Sequence, residues 1–461
     1  MKQLDSSFRD PAGYVFDDGS QIIRTVNSVY ESHWRSAEES GLFRAAIKDG
    51  LLMAFAEGPS LSGAWKTVCA ERIRFISYPY EWCFSQLRDA ALLTLDLQNM
   101  ALDHGLTLKD ASAYNVQFHH GRPVFIDLLS FECRQEGEPW PAYRQFCMHF
   151  LAPLALTALV DLRCGVWSKL WMDGIPLTLA AKALPLSARF RLGLLWHLFL
   201  HARLENRYGD TRRSAAKAKA VSISRASLKG IVDHLRGTIQ SLKPPSAKTE
   251  WGDYYNDTNY TSVAADFKLA YVARTAKTLA AGRLAVDLGA NTGRYSQVLA
   301  KHFDLVLAAD IDPLAVERHY NALRRGSGAA SQKILPLILD LGNPSSPLGW
   351  ACRERDSFEQ RCQADLLTAL ALVHHLVITA GIPLNRIAEY FARLLRSGGT
   401  LILEFVPKGD SQIERLLAVR KDVFDDYSAD GLRQAFDPYF EDVETTPIPE
   451  SQRTLHQLRR K

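Results

Sequence analysis

Residues 286–296 read Val-Asp-Leu-Gly-Ala-Asn-Thr-Gly-Arg-Tyr-Ser, and Asp310 closes the run Leu305-Val-Leu-Ala-Ala-Asp310. The pattern is a buried strand, a glycine turn, a helix start, a second buried strand and an acid at its end. Gly289 and Gly293 allow a sharp turn and a close backbone approach to a ligand, where a Cβ would clash. An acid about twenty residues past such a turn suits the diol of a ribose. The spacing Asp287-x-Gly289-x-x-x-Gly293 is not G-x-G-x-x-G, and no lysine follows the second glycine, so the stretch is not a P-loop.

Strands and helices alternate outward from this turn. Short apolar runs predict strands at Leu284–Gly289, Leu305–Asp310, Ile334–Asp340, Asp365–Leu372 and Thr400–Val406. Helical spacing places Tyr295, Val298, Leu299 and Phe303 on one side, and helices are predicted at about Val263–Leu279, Pro313–Arg325, Leu384–Arg396 and Ser411–Lys421. This order predicts a doubly wound, parallel α/β sheet of Rossmann-like type, which binds ligands at the carboxyl ends of its strands. The glycine turn, Asp310 and Asp340 all fall at that edge.

The ordered set Asp287 to Gly293, Asp310, Leu335-Pro-Leu-Ile-Leu-Asp340, Asp365–Leu376 and Leu395-Arg-Ser-Gly-Gly-Thr-Leu-Ile-Leu-Glu404 resembles the motifs of class I S-adenosylmethionine (SAM) methyltransferases. The resemblance implies SAM as cofactor, held by Asp287, Gly289, Asn291 and Gly293, with Asp310 on the ribose and Asp340 on adenine. Asn291 stands where many members have glycine. His374 and His375 close the fourth predicted strand, and Glu404 ends the fifth at the same edge. A histidine there is either a general base or a packed residue bonded to backbone. Strand alternation favours His375 as the one facing the site. Tyr254, Tyr255 and Tyr260 form either a lid over the substrate or an ordinary aromatic cluster. Methyl transfer from a sulfonium gains mostly from positioning, so no dedicated catalytic residue is demanded.

The first 240 residues differ in character. They predict a hairpin at Tyr14–Thr25, a strand at Phe75–Tyr80 and a helix at Phe84–His104 stopped by Gly105. A hairpin through Val116–Phe118, His119-His-Gly121 and Pro123–Asp127 follows, and then mostly helix over 140–200. The set Asp110, Asn115 and Asp127 resembles the catalytic loop of kinase-like phosphotransferases, in which an Asp orients the hydroxyl while the Asn and second Asp hold magnesium. Departures are plain: Leu-Leu-Ser follows Asp127, Lys109 replaces the usual arginine, and no glycine-rich phosphate loop is evident. Ala46-Ile47-Lys48 has helical, not strand, spacing. A degenerate, vestigial kinase-like scaffold is the preferred reading, ahead of an active phosphotransferase or a chance pattern.

A chain of 461 residues is expected to hold two or three domains, here 1–240, a linker and lid at 241–262, and 263–461. A net charge of +4 gives little warrant for nucleic acid, and the basic stretch 201–230 reads as a solvated helix face. Seven scattered cysteines without a C-x-x-C pair argue for reduced thiols in a cytoplasm, with no metal site. No signal peptide is predicted, and the apolar stretch His149–Leu162 is too short to span a bilayer. The phrases Phe75-Ile-Ser-Tyr-Pro-Tyr-Glu-Trp82, Tyr143-Arg-Gln-Phe-Cys147 and Glu404-Phe-Val-Pro-Lys408 resemble a bacterial two-domain methyltransferase family, some members of which carry a nodulation-protein label. That resemblance implies SAM-dependent methylation of a small-molecule or glycan acceptor. The alternatives are a SAM-binding regulatory protein and a bifunctional phosphotransferase/methyltransferase.

Overall fold

The computed structural model describes residues 2–203, 222–245, 261–279, 282–326, 328–418 and 422–461. The chain forms two compact units, Met1–Ser246 with Gly349–Glu354, and Ala247–Leu348 with Arg355–Lys461.

The first unit opens with a five-stranded antiparallel sheet. Its strands are β1 (Lys2–Gln3), β2 (Val15–Asp17), β3 (Gln21–Val26), β4 (Phe55–Glu57) and β5 (Lys66–Glu71), in spatial order β1-β2-β3-β5-β4. The Tyr14–Thr25 hairpin is therefore present as β2 and β3. Ala46-Ile47-Lys48 lies on the helix Leu42–Lys48. The strand predicted at Phe75–Tyr80 does not form. There Ser77 exchanges hydrogen bonds with the side-chain amide of Gln117, at 2.9 Å each way. Pro79–Glu81 then makes a 3₁₀ turn, with the Glu81 carboxylate accepting from the Tyr78 N–H at 2.8 Å. With its backbone satisfied locally, this stretch has no ladder to join.

The long helix Phe84–Asp103 follows, and β6 (Leu106–Leu108) pairs with β9 (Phe131–Cys133). Between them stands the hairpin of β7 (Val116–His119) and β8 (Arg122–Phe125). Short helical segments fill most of 143–200.

The second unit is a seven-stranded sheet built from β10 (Gly282–Leu288), β11 (Phe303–Asp310), β12 (Ile334–Ile338), β13 (Ala364–Ala369), β14 (Leu395–Phe405), β15 (Phe440–Pro447) and β16 (Thr454–Arg460). Spatial order is β12-β11-β10-β13-β14-β16-β15, parallel from β12 through β14, with β16 antiparallel to both neighbours. Central strands of such a sheet are covered on both faces and read as unbroken apolar runs. Accordingly all six residues of β13 and the last five of β11 are buried.

Helices pack on these faces through one apolar stripe. On Leu384–Leu394 the buried residues are Leu384, Ile387, Ala388, Phe391, Ala392 and Leu394, three and four apart. Asp312 caps Pro313–Arg325 by accepting from the Leu314 N–H at 2.8 Å, with Pro313 at the first helical position. Strand order reverses between β10, which leads to β11, and β13 on its other side. That reversal opens a crevice at the carboxyl ends, where doubly wound sheets bind ligands.

Candidate functional site

The crevice is a cavity of about 750 Å³ lined by Asp287, Gly289, Asn291, Asp310, Asp340 and His375, among others. A volume of this size suits a drug-sized ligand. Three left-handed residues bend the chain from β10 into the helix Arg294–Leu299: Gly289 (φ +71°), Asn291 (φ +49°) and Gly293 (φ +83°). Asparagine tolerates this region better than other side chains do, which is why Asn291 serves where glycine is commoner. The turn is tied to β11, because the N–H groups of Gly289 and Ala290 both donate to the Ala309 carbonyl, at 2.9 and 3.0 Å.

Asp310 completes that tie. One carboxylate oxygen accepts from the Asn291 N–H at 2.7 Å and the other from the Asp312 N–H at 2.9 Å. Burial, reinforced by the charges of Asp312 and Asp287, pushes its carboxyl up to about 6 despite those two bonds. Each oxygen keeps a further lone pair for a hydroxyl donor in the cavity. Asp287 is buried deeper and accepts from the hydroxyls of Ser296 at 2.6 Å and Thr368 at 2.7 Å. Burial raises its carboxyl above the usual range. Asp340 stands exposed at the lip, with one oxygen accepting the Gly342 N–H at 2.8 Å.

Gly293 carries a packing constraint besides its left-handed turn. It is not among the residues lining the cavity. A Cβ on it would lie 2.0 Å from Cε1 and 2.1 Å from Nε2 of His319, a ring only 1% exposed. The glycine makes room for that histidine.

The two histidines are not on a strand. β13 stops at Ala369, and Ala371 takes a positive φ of 50° that ends the extended chain. His375 then opens the π-helical turn His375–Thr379. His375 lines the cavity, whereas His374 is 2% exposed and turned away from it. Burial pulls His375 down to about 4 and His374 well below its ordinary value, so both are neutral near pH 7.

Glu404 is fully buried behind the wall. Its carboxylate accepts from Lys268 Nζ at 2.5 Å and lies 3.4 Å from an Arg453 guanidinium nitrogen. It positions Lys268, which does line the cavity. Burial lowers the Lys268 ammonium while Glu404 holds it up. The sequence held one signal for this lysine. Lys268 shares the inward stripe of the helix Ser262–Thr278 with Ala264, Tyr271, Val272 and Thr275, where a charge is unusual unless paired. Tyr254, Tyr255 and Tyr260 lie outside the described residues.

In the first unit, Asp110, Asn115 and Asp127 lie together, and Ser130 links the last two. The Asn115 amide donates to the Ser130 hydroxyl at 3.3 Å, and that hydroxyl donates to Asp127. Arg24 on β3 also pairs with Asp127. Burial, and next the Asp127 charge, raise the Asp110 carboxyl. Asp127 is thus already held by a cation of its own chain.

The second unit is a doubly wound α/β domain with a nucleoside-sized cavity at its switch point. The chain is 35% identical over 463 residues to nodulation protein NoeA of Rhizobium meliloti (strain 1021), covering 98% of this chain and 95% of the relative. It belongs to the NoeA family. No family model matches the chain. Among solved structures, the N-methyltransferase NodS of Bradyrhizobium japonicum WM9 is 16% identical, covering 43% of this chain and 97% of its own, with a TM-score of 0.32. Magnesium protoporphyrin IX methyltransferase (ChlM) of Synechocystis PCC 6803, with bound SAH, is 19% identical, covering 46% and 92%, with a TM-score of 0.31. No helix among the described residues is long and apolar enough to cross a membrane.

Proposed function

We propose that the second unit is a SAM-dependent methyltransferase acting on a small-molecule or glycan acceptor. The observation that carries the proposal is Asp310 at the end of β11, fixed by two backbone N–H groups beside the left-handed turn and facing the cavity. Its spare lone pairs suit the two hydroxyls of a ribose. Asp340 at the lip accepts from the exocyclic amine of adenine. Ile311, Leu339 and Leu341 supply apolar wall for the base. Lys268, with Arg294 in the same wall, meets the carboxylate of the methionine end. Asp287 acts indirectly, by holding Ser296 and Thr368 and so the turn.

The cofactor supplies a methyl group already activated on a sulfonium. The protein's part is to align the acceptor and keep water out. His375 is neutral at physiological pH and accepts a hydrogen bond from the attacking O–H or N–H. A base depressed to about 4 is poorly matched to full proton removal, so His375 orients more than it deprotonates.

Transfer of label from methyl-tritiated SAM to a component of bacterial extract, dependent on the protein and reduced in Asp310→Ala at limiting SAM, tests the proposal. Cofactor binding without any transfer across fractionated extracts supports the regulatory reading instead.

A further inference from the structure

Among the described residues, one group of three side chains of metal-ligating type lies with its ligand atoms within 4.8 Å of one another: Glu71, His119 and His120. It belongs to the first unit and has no part in the cavity above. Glu71 ends β5, and His119 ends β7. His119 and Arg122 face each other across a two-residue loop in which His120 (φ +48°) and Gly121 (φ +73°) are both left-handed. Two positive φ values mark a type I′ hairpin turn, whose first place favours asparagine, aspartate or glycine. A histidine there is strained, and strain held in an exposed turn calls for a reason. The turn brings the two imidazoles together, with ring centroids 3.9 Å apart and planes tilted by 55°, and sets His119 Nε2 at 3.5 Å from a Glu71 oxygen.

We propose that Glu71, His119 and His120 form a binding site for a divalent transition-metal cation of zinc type, which clamps the end of β5 to the β7–β8 turn. Two imidazoles and one carboxylate are a donor set that suits Zn²⁺, as well as Ni²⁺ and Cu²⁺. Donors about 2.0–2.2 Å from a tetrahedral ion stand roughly 3.3 Å apart. The Glu71–His119 distance of 3.5 Å is already close to that value. The remaining separations need only side-chain rotation, and Glu71 and His120 are exposed enough to make it. Three protein donors leave a fourth position for water. Nothing in the sequence pointed here, because 48 residues separate Glu71 from the histidine pair and no C-x-x-C or H-x₃-H spacing marks it.

The test uses the full chain, stripped with chelator and desalted. Zn²⁺ is titrated against a chromophoric competitor, and the melting temperature is read with and without the ion. One Zn²⁺ should bind per chain with micromolar or tighter affinity and raise the melting temperature by mass action. Co²⁺ in its place should give the visible absorption of a four-coordinate nitrogen–oxygen site. The His119→Ala and His120→Ala variants should each lose at least about 10-fold in affinity, as a lost ligand requires. Glu71→Gln should weaken binding while leaving the metal-free melting temperature unchanged, since the residue is exposed. Zn²⁺ affinity unchanged in the His119→Ala/His120→Ala double variant would mean an adventitious ion only, and would overturn the proposal. Absence of any binding at millimolar Zn²⁺ would do the same.

Discussion

Placing an alanine at Gly293 tests whether the turn after β10 is glycine for the cofactor or for the fold. The left-handed φ of +83° costs a non-glycine residue about 1–2 kcal/mol. The new Cβ also falls 2.0 Å from the His319 ring, which is 1% exposed and cannot swing out. Such overpacking costs about 1–3 kcal/mol. Together Gly293→Ala should destabilise the second unit by about 2–5 kcal/mol.

His319 itself offers a way to separate the terms. Burial pulls its ring down to about 4, and among the described residues neither nitrogen has a hydrogen-bond partner, so its removal breaks no polar contact. His319→Ala alone should cost about 2–4 kcal/mol through the cavity it leaves. In the double variant the clash disappears and the backbone term remains. The two effects should then fall short of their sum by about 1–3 kcal/mol. Urea denaturation of the full chain measures this, with the transition of the second unit identified by its shift on adding SAM. Additivity within about 0.5 kcal/mol would refute the steric account.

Other expectations rest on the cavity wall. Lys268→Met should weaken SAM binding about 10–100-fold and lower stability by about 3 kcal/mol, because Glu404 is fully buried and loses one of its cations; pairing it with Glu404→Gln should recover much of the stability but not the affinity. Unchanged SAM affinity in Lys268→Met would remove the carboxylate role. His375→Ala should lower turnover by less than about 100-fold with SAM affinity nearly unchanged, since a neutral orienting group is lost; a loss of about 10²–10⁴-fold would restore the general-base reading. The Asp310 carboxyl near 6 gives two opposite trends. Its folded value is raised, so the folded state holds the proton more tightly between about pH 4 and 6, and this group's contribution to stability declines as pH rises through that window. SAM affinity should instead rise from about pH 5 to 7, as the ionised acceptor forms, and level off above. A flat affinity profile over that range would show that Asp310 does not meet the ligand in its charged form.

Much of the second unit was legible because its signals are local. Unbroken apolar runs ending in acids marked β10, β11 and β12, and the left-handed turn needed the glycines that spell it. Where contacts are distant in sequence, the local pattern was silent. Nothing near Glu404 announces that Lys268, 136 residues away, takes its charge and makes it a support for the wall. Nothing near Gly293 announces His319 beneath it. Ala371 carries no sequence mark of the positive φ that ends β13 and moves His374 and His375 off the strand, although His375 still reached the cavity. At Phe75–Tyr80 apolar and aromatic residues read as a strand, but Gln117, on the β7–β8 hairpin, claimed the backbone of Ser77. At Glu404, Gly293 and Ser77 a tertiary partner lay beyond the reach of local pattern.

The central claim is that Asp310 and the turn beside it hold SAM in the cavity at the end of β10 and β11. Calorimetric titration of SAM into the purified full chain and into Asp310→Ala tests it most directly. One site per chain is predicted, weakened by about 1–3 kcal/mol in the variant, which is roughly 5–150-fold in dissociation constant. Undiminished SAM binding in Asp310→Ala, or no binding by the wild-type chain, would contradict it.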